Sequence, residues 1–191
     1  MSSILLIPPA TEPVSLAEAK HYLRVEHADD DDLIAALIAS ARTHVEAQTR
    51  RALITQTWRH VRDTWPADGR IAVLPAPLQS LTAVRVYDEE GDAQAIDVQT
   101  FIVDTAPAPG VVSFPPWSAP APGRATAGIE LDTVVGYGDA ATDVPEPLRL
   151  AIRQLVAHWY ENRGVVAGGG GAASLPAGVS ELLAPYRVLS L

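Results

Sequence analysis

Apolar positions follow a helical period near both ends of the chain and a strand period in the middle. Leu16, Ala19 and Leu23 share one helical face, and Ser15 stands three residues before Glu18. That spacing lets each side chain bond the other's free backbone N–H, so it predicts a short helix from Leu16 to about Leu23. Further on, Leu33, Leu37, Ala41 and Val45 recur every four residues, and Ile34 and Ile38 widen the stripe. This predicts a longer helix. Asp29 to Asp32 lie at its start, where exposed N–H groups favour negative charge. The same four acids do not make a calcium loop, which needs alternate acids, a central glycine and a distal glutamate.

From Leu53 the period becomes two. In "LITQTWRHVRDTW" the residues Ile54, Gln56, Trp58, His60 and Arg62 alternate with Leu53, Thr55, Thr57, Arg59 and Val61, which predicts a strand. "RIAVL", "TFIVD", "GVVSF" and "GIELDTVVGY" read as further strands. "LTAVRVYDEEGDAQAI" reads as strand, turn, strand, with Gly91 at the turn position that needs positive φ. Short strands this close together imply an antiparallel sheet or a small sandwich. Between the last two strands, "PPWSAPAPGRATA" carries Pro115, Pro116, Pro120 and Pro122, which cannot donate ladder bonds. An extended loop bearing an exposed Trp117 is expected.

Helical period returns in "DVPEPLRLAIRQLVAHWYENRG", with Leu148, Ile152, Leu155, Val156 and Trp159 on one face. Asp143 is the expected cap, Pro145 suits the first turn, and Gly164 the end. Glu146, Arg149 and Arg153 are spaced for mutual pairing. The stretch 164–175 is glycine- and alanine-rich and reads as a flexible loop. A short helical tail follows around Leu182 and Leu183. At the N-terminus, Ile4 to Ile7 form a short apolar run cut by Pro8 and Pro9, expected to be a strand or arm packed on the body. It lacks the basic flank and length of a secretory signal.

Composition narrows the function. With 191 residues, 48% of them hydrophobic, the chain is long enough to bury roughly 70% of its unfolded surface. The absence of cysteine excludes disulfides, thiolate metal sites and a cysteine nucleophile. A net charge of −9 argues against nucleic-acid binding, yet suits a wall that DNA slides past without sticking. No apolar run approaches the ~20 residues of a membrane helix.

Catalytic patterns are weak. "AHWYENRG" puts His158, Trp159, Tyr160, Glu161, Asn162 and Arg163 side by side, but adjacent helical residues point apart. His21, His27, His44, His60 and His158 show no metal-ligand spacing. "GYGDAA" matches a loose dinucleotide fingerprint without the βαβ pattern around it, and reads as a turn. No nucleophile elbow or phosphate loop appears. No cofactor, metal or catalytic residue is therefore expected.

Three ordered segments carry a family resemblance: "EPVSLAEAKHYLRVEHADDDDLIAALIASARTHVEAQTRRALITQTW", "VVGYGDAATDVPEPLRLAIRQLVAHWYENR" and "LPAGVSELLAPYRV". The chain resembles phage head–tail connector (adaptor) proteins, as found in long-tailed phages, prophages and gene transfer agents. The resemblance implies an α+β chain: a small helical bundle, from residues 12–52 and 144–191, with an inserted antiparallel β region at 53–143. It also implies a non-enzymatic subunit of a ring, commonly twelvefold, in the neck of the particle. One rim would meet the portal protein and the other a tail-proximal stopper or completion protein, with DNA passing through the centre.

Within that frame, the apolar tail residues Leu182, Leu183, Tyr186, Val188, Leu189 and Leu191 are candidate portal contacts, or else they close the subunit's own core. Trp117 is a candidate for the opposite rim. Two competing readings remain open. In one, a β-domain binding module stacks Trp58, Trp65 or Trp117 on sugar or peptide. In the other, a hydrolase joins His60 or His158 to a carboxylate in a pocket.

Overall fold

The computed structural model describes residues 2–162 and 177–189. The expected flexible loop 164–175, together with Arg163, Gly164 and Leu191, lies outside the described residues. The fold is α+β, as its sequence periods predict, and divides into two compact units. One comprises Ala10–Ile54 and Gly138–Leu191; the other comprises Met1–Pro9 and Thr55–Tyr137.

The first unit holds the helices α1 (Leu16–Leu23), α2 (Asp31–Thr49), α3 (Glu146–Glu161) and α4 (Ala177–Leu183). α1 opens on the expected reciprocal cap: the Glu18 N–H donates to Ser15 Oγ at 3.2 Å, and the Ser15 N–H donates to Glu18 Oε2 at 2.9 Å.

α2 buries Ile34, Ile38, Ala41, Val45 and Thr49. Leu33 stays 37% exposed and Leu37 half-buried, so the stripe is centred one row from the expected one. The reason is geometric. A row stepping strictly by four drifts about 40° per step around a helix of 3.6 residues per turn. The row 34, 38, 41, 45, 49 mixes a step of three with steps of four, which limits the drift and keeps it on one side.

Asp31 and Asp32 fall in the first turn of α2, where negative charge was expected, and both Asp30 and Asp31 also act as tethers. Asp30 has no side-chain capping bond; it accepts the Tyr160 hydroxyl at 2.5 Å, and Asp31 pairs with Lys20 at 2.5 Å. These bonds tie α2 to α3 and α1.

α3 packs against α2 through a face that includes the buried Leu148, Ala151, Ile152, Leu155 and Val156. Asp143 does not cap α3. Its carboxylate accepts the Ala140 N–H at 2.9 Å within a 3-10 turn, Ala141–Asp143, and α3 starts after Pro145. A Cβ at Gly138 would stand 2.2 Å from Asp143 Oδ2, so this close turn requires glycine. "GYGDAA" is therefore a packed turn, as its sequence context implied. Arg149 binds Glu146 at 2.9 Å, the Pro13 carbonyl at 2.9 Å, and Glu18. Arg153 also reaches Glu146.

The second unit holds eight strands: β1 (Ser2–Ile7), β2 (Gln56–Arg62), β3 (Arg70–Val73), β4 (Leu78–Tyr87), β5 (Ala93–Ile96), β6 (Ile102–Asp104), β7 (Gly110–Ser113) and β8 (Ile129–Val135). They form two antiparallel sheets, ordered β1-β2-β8-β4-β5 and β3-β7-β6. β2 begins at Gln56, three residues later than its alternation predicted, because Leu53 and Ile54 are buried in the helical unit. The β4–β5 hairpin turns at Gly91, whose φ is 90°.

The two sheets meet where β7 offers Gly110: a Cβ there would lie 2.4 Å from that of Leu78. Trp65, Phe101 and Phe114 form an aromatic cluster with ring centroids 4.8 to 6.2 Å apart.

Ile152→Ala should destabilise the chain by about 2–5 kcal/mol through lost burial and a residual cavity. Leu33→Ala, on the exposed side of α2, should change stability by less than about 0.5 kcal/mol. Urea unfolding read as a midpoint shift at constant slope separates the two.

Candidate assembly surfaces

The C-terminal tail divides between core and surface. α4 and the 3-10 turn Ala184–Tyr186 bring Val179, Leu183 and Val188 into the helical core, all three buried. Two bonds fasten the segment to the end of α2: the Val188 N–H donates to Thr49 O at 3.0 Å, and Arg51 Nε donates to Tyr186 O at 2.6 Å. Leu182 and Tyr186 are half-buried. Leu189 is 83% exposed. Of the six expected tail contacts, Leu183 and Val188 thus serve this subunit's own packing. Leu189 is open to a partner, Leu182 and Tyr186 partly so, and Leu191 lies outside the described residues.

Trp117 is 87% exposed, as expected of its loop. The loop is anchored rather than merely extended. The Ser118 N–H closes a turn on Pro115 O at 2.9 Å, and Trp65 Nε1 donates to Pro120 O at 2.9 Å. Gly123 N donates to Tyr87 O at 2.8 Å. Trp117 therefore projects from a held turn.

The other tryptophans do not join it. Trp65 sits in the aromatic cluster, Trp58 is half-buried with Nε1 bonded to Gln56 Oε1 at 2.9 Å, and Trp159 meets His44 edge-on. No stacking platform of Trp58, Trp65 and Trp117 exists.

Sequence reasoning underrated β1. The strand pairs with β2 along its backbone, yet Ile4, Leu5, Leu6 and Ile7 are 39–59% exposed. Its side chains are not packed on the body as expected. The available signal was four consecutive aliphatics without polar alternation; a half-buried strand would alternate.

Beside β1, one face of the five-stranded sheet carries an ionic ladder. Arg59 grips Asp132 with two bonds, Nε to Oδ1 at 2.7 Å and a terminal nitrogen to Oδ2 at 2.9 Å. Arg85 adds a third to Oδ2 at 2.8 Å. Glu130 lies 3.3 Å from Arg59 and 3.7 Å from Arg85. Burial works against the Asp132 charge, but the hydrogen bonds from Arg59 and Arg85 outweigh it and hold the carboxyl below its ordinary range. The Asp132 bonds hold the Arg59 guanidinium well above its usual value. The arrangement braces β2, β8 and β4 against one another.

On the opposite side of β2, His60 is fully buried. One ring nitrogen faces Ser3 Oγ of β1 at 3.1 Å and the other faces Thr133 Oγ1 at 2.9 Å. Burial pushes its pKa down to about 4, opposed in part by the Asp132 charge. Neither hydrogen bond of the ring is to a carboxylate.

His158 sits within reach of Asn162, whose amide donates to the His158 carbonyl at 2.7 Å, and Tyr160 and Trp159 point to different neighbours. The side chains of His158, Trp159, Tyr160 and Asn162 are dispersed in space, as helical geometry requires. Among the described residues no three His, Asp or Glu side chains stand close enough to hold a metal, and no helix is long and apolar enough to cross a membrane.

The packed units leave the β1 aliphatics, Trp117 and Leu189 in solvent. The chain belongs to the head completion protein family, whose model matches residues 12–189. The resemblance to head–tail connectors seen in the sequence therefore holds.

Solved structures repeat the fold. A chain in the neck of an empty gene transfer agent particle, computed with C6 symmetry, superposes with a TM-score of 0.83 at 21% identity, covering 100% of this chain and 97% of that one. A chain from the virion of a native gene transfer agent particle gives 0.84 at 22% identity, covering 100% and 97%. One from the neck of a native particle computed with C12 symmetry gives 0.78 at 23% identity, covering 98% and 97%. None of the curated proteins matches the sequence.

His60 makes stability depend on pH. Its folded pKa lies below the ordinary 6.5, so its contribution is complete above pH 6.5 and is lost as pH falls towards about 4. The loss should amount to about 3 kcal/mol, from 1.36 kcal/mol per unit. His60→Gln should flatten that part of the profile in denaturant unfolding measured from pH 7 to pH 4.

Proposed function

We propose that the chain is a structural subunit of a head–tail neck, with no catalytic role. It assembles into a ring beneath the portal of a phage-like or gene transfer agent capsid, and DNA passes through the ring without specific binding. The observation that carries this reading is membership of the head completion family over residues 12–189, joined to a fold that covers 97% of chains from gene transfer agent necks. The bacterial cytoplasm is the place of assembly and the particle neck the destination.

Physical features support the role. Rings are built from heterologous contacts, in which one face of a subunit meets a different face of the next. Two compact units, each with its own buried core, offer rigid faces for such contacts. The net charge of −9 per subunit repels the phosphate backbone and keeps a DNA channel non-adhesive.

The tail meets the portal through Leu189, with Leu182 and Tyr186 beside it and Leu191 beyond, while Leu183 and Val188 hold that segment in place from the core. Trp117 meets the tail-proximal protein at the opposite rim. Each contact is small, so attachment strength comes from many copies acting together.

Leu189→Asp should leave the melting temperature unchanged, because the side chain is exposed, and should lower the yield of tailed particles at least tenfold. DNA-filled heads without tails, counted by electron microscopy, are the expected product. Normal tailed particles from Leu189→Asp would remove the tail contact. Normal particles from a strain lacking the chain altogether would remove the neck role itself.

A further inference from the structure

The first four residues of the edge strand β1, Ser2 to Leu5, carry none of the devices that normally protect an edge. Exposed edges are usually blunted by charge, proline or a bulge, because unpaired N–H and C=O groups template pairing with another chain. Residues Ser2 to Ile7 contain no charged residue and no proline. A single register shift between Leu5 and Ile7 leaves Ser2 to Leu5 in regular pairing with Val61 to Trp58. Ile4 and Ile7 are 51% and 59% exposed. The opposite edge of the same sheet, β5, is equally uncharged, "AQAI", and Ala93, Gln94 and Ala95 are exposed.

We infer that β1 of one copy pairs with β5 of the next, joining the five-stranded sheets of neighbouring subunits across each interface. The inference rests on the ring reading above and names the contact that closes it.

Strand direction supports this occupant. All four neighbouring pairs in the sheet are antiparallel, so direction alternates along the order β1-β2-β8-β4-β5. With five strands, β1 and β5 point the same way. Rotation about a ring axis that runs along the strands preserves that direction and sets β1 beside β5 in parallel. A two-fold pairing of β1 with β1 would instead be antiparallel and would stop at a dimer.

Side-chain size fits as well. Ile4 stands opposite Arg59 on the ionic face, and Ala95 stands opposite Arg85 on that same face. A bulky aliphatic on one edge therefore meets a small residue on the other.

The chain has no cysteine, so the seam is open to a clean cross-linking test. Ile4→Cys and Ala95→Cys are placed together in the full chain, and assembled particles are oxidised or treated with a short bismaleimide. Adjacent strands bring Cα atoms within the roughly 4.4–6.8 Å that a disulfide spans. The expected result is a ladder of multimers on a denaturing gel from the double variant, with monomers from each single variant. Both positions are exposed, and unchanged thermal unfolding of the singles confirms an intact fold.

Monomers from the double variant, in particles whose necks show the ring by imaging, would overturn the seam and leave the ring standing. Dimers from Ile4→Cys alone would overturn it in favour of two-fold pairing. Particles in which the chain forms no ring would overturn both the ring reading and the seam.

Discussion

The helical unit depends on burying two amphipathic stripes that the sequence keeps more than a hundred residues apart. Ile34, Ile38, Ala41 and Val45 on α2 form one, and Leu148, Ile152 and Leu155 on α3 the other. Neither helix has another apolar face large enough to stand alone. The β insertion does not prevent their meeting, because the chain enters and leaves it through neighbouring strands, with Gln56 of β2 opposite Val135 of β8. The intervening chain is folded on itself, so its length adds little to the closure cost, which grows only logarithmically even for a flexible loop. The tail then completes the core with Val179, Leu183 and Val188.

How far this was legible in the sequence depends on the range of the interaction that decides each element. Local chemistry reads well. The Ser15–Glu18 cap, the Gly91 hairpin and the strand alternation of β4 all depend on residues a few positions apart, and all appear where expected. Choices made by distant partners read poorly. Which row of the α2 stripe turns inward is seen only in the packed unit, where Ile34 is buried and Leu33 is not. Leu53 and Ile54 fit a strand pattern but are taken by the helical core. Asp143 had the spacing of a cap but is held by the turn around Gly138. The tail residues looked alike as apolar letters; only the fold sorts Leu183 from Leu189.

The candidate surfaces share a logic. Each exposed apolar group stands on something rigid. Trp117 rides a turn closed on Pro115, Leu189 follows a segment bonded to Thr49, and β1 is held by its ladder to β2 and by the Ser3–His60 contact. Rigid presentation lowers the ordering cost of docking, so small contacts repeated around a ring can suffice. The ionic ladder contributes in the same way. Asp132 accepts from arginines on both flanking strands, which fixes the sheet that carries β1 and β5 at its two edges. Such a pair gives little net stability over an apolar isostere; its effect is to define one geometry.

The charge of the chain is also sorted by this packing. Lys20, Arg42, Arg59, Arg85, Arg149 and Arg153 each hold carboxylates of their own unit and so serve internal geometry. Of their partners, Glu46 and Asp132 are mostly buried and Glu146 is exposed, while Asp88, Glu89, Glu90 and Asp92 stand at the exposed tip of a hairpin. The hairpin is one local concentration among exposed acids that also include Asp29, Asp63, Asp97 and Glu161. Within a Debye length of about 8 Å at physiological salt, a local cluster matters more than the net figure. An anion approaching the hairpin therefore meets repulsion from four acids at once.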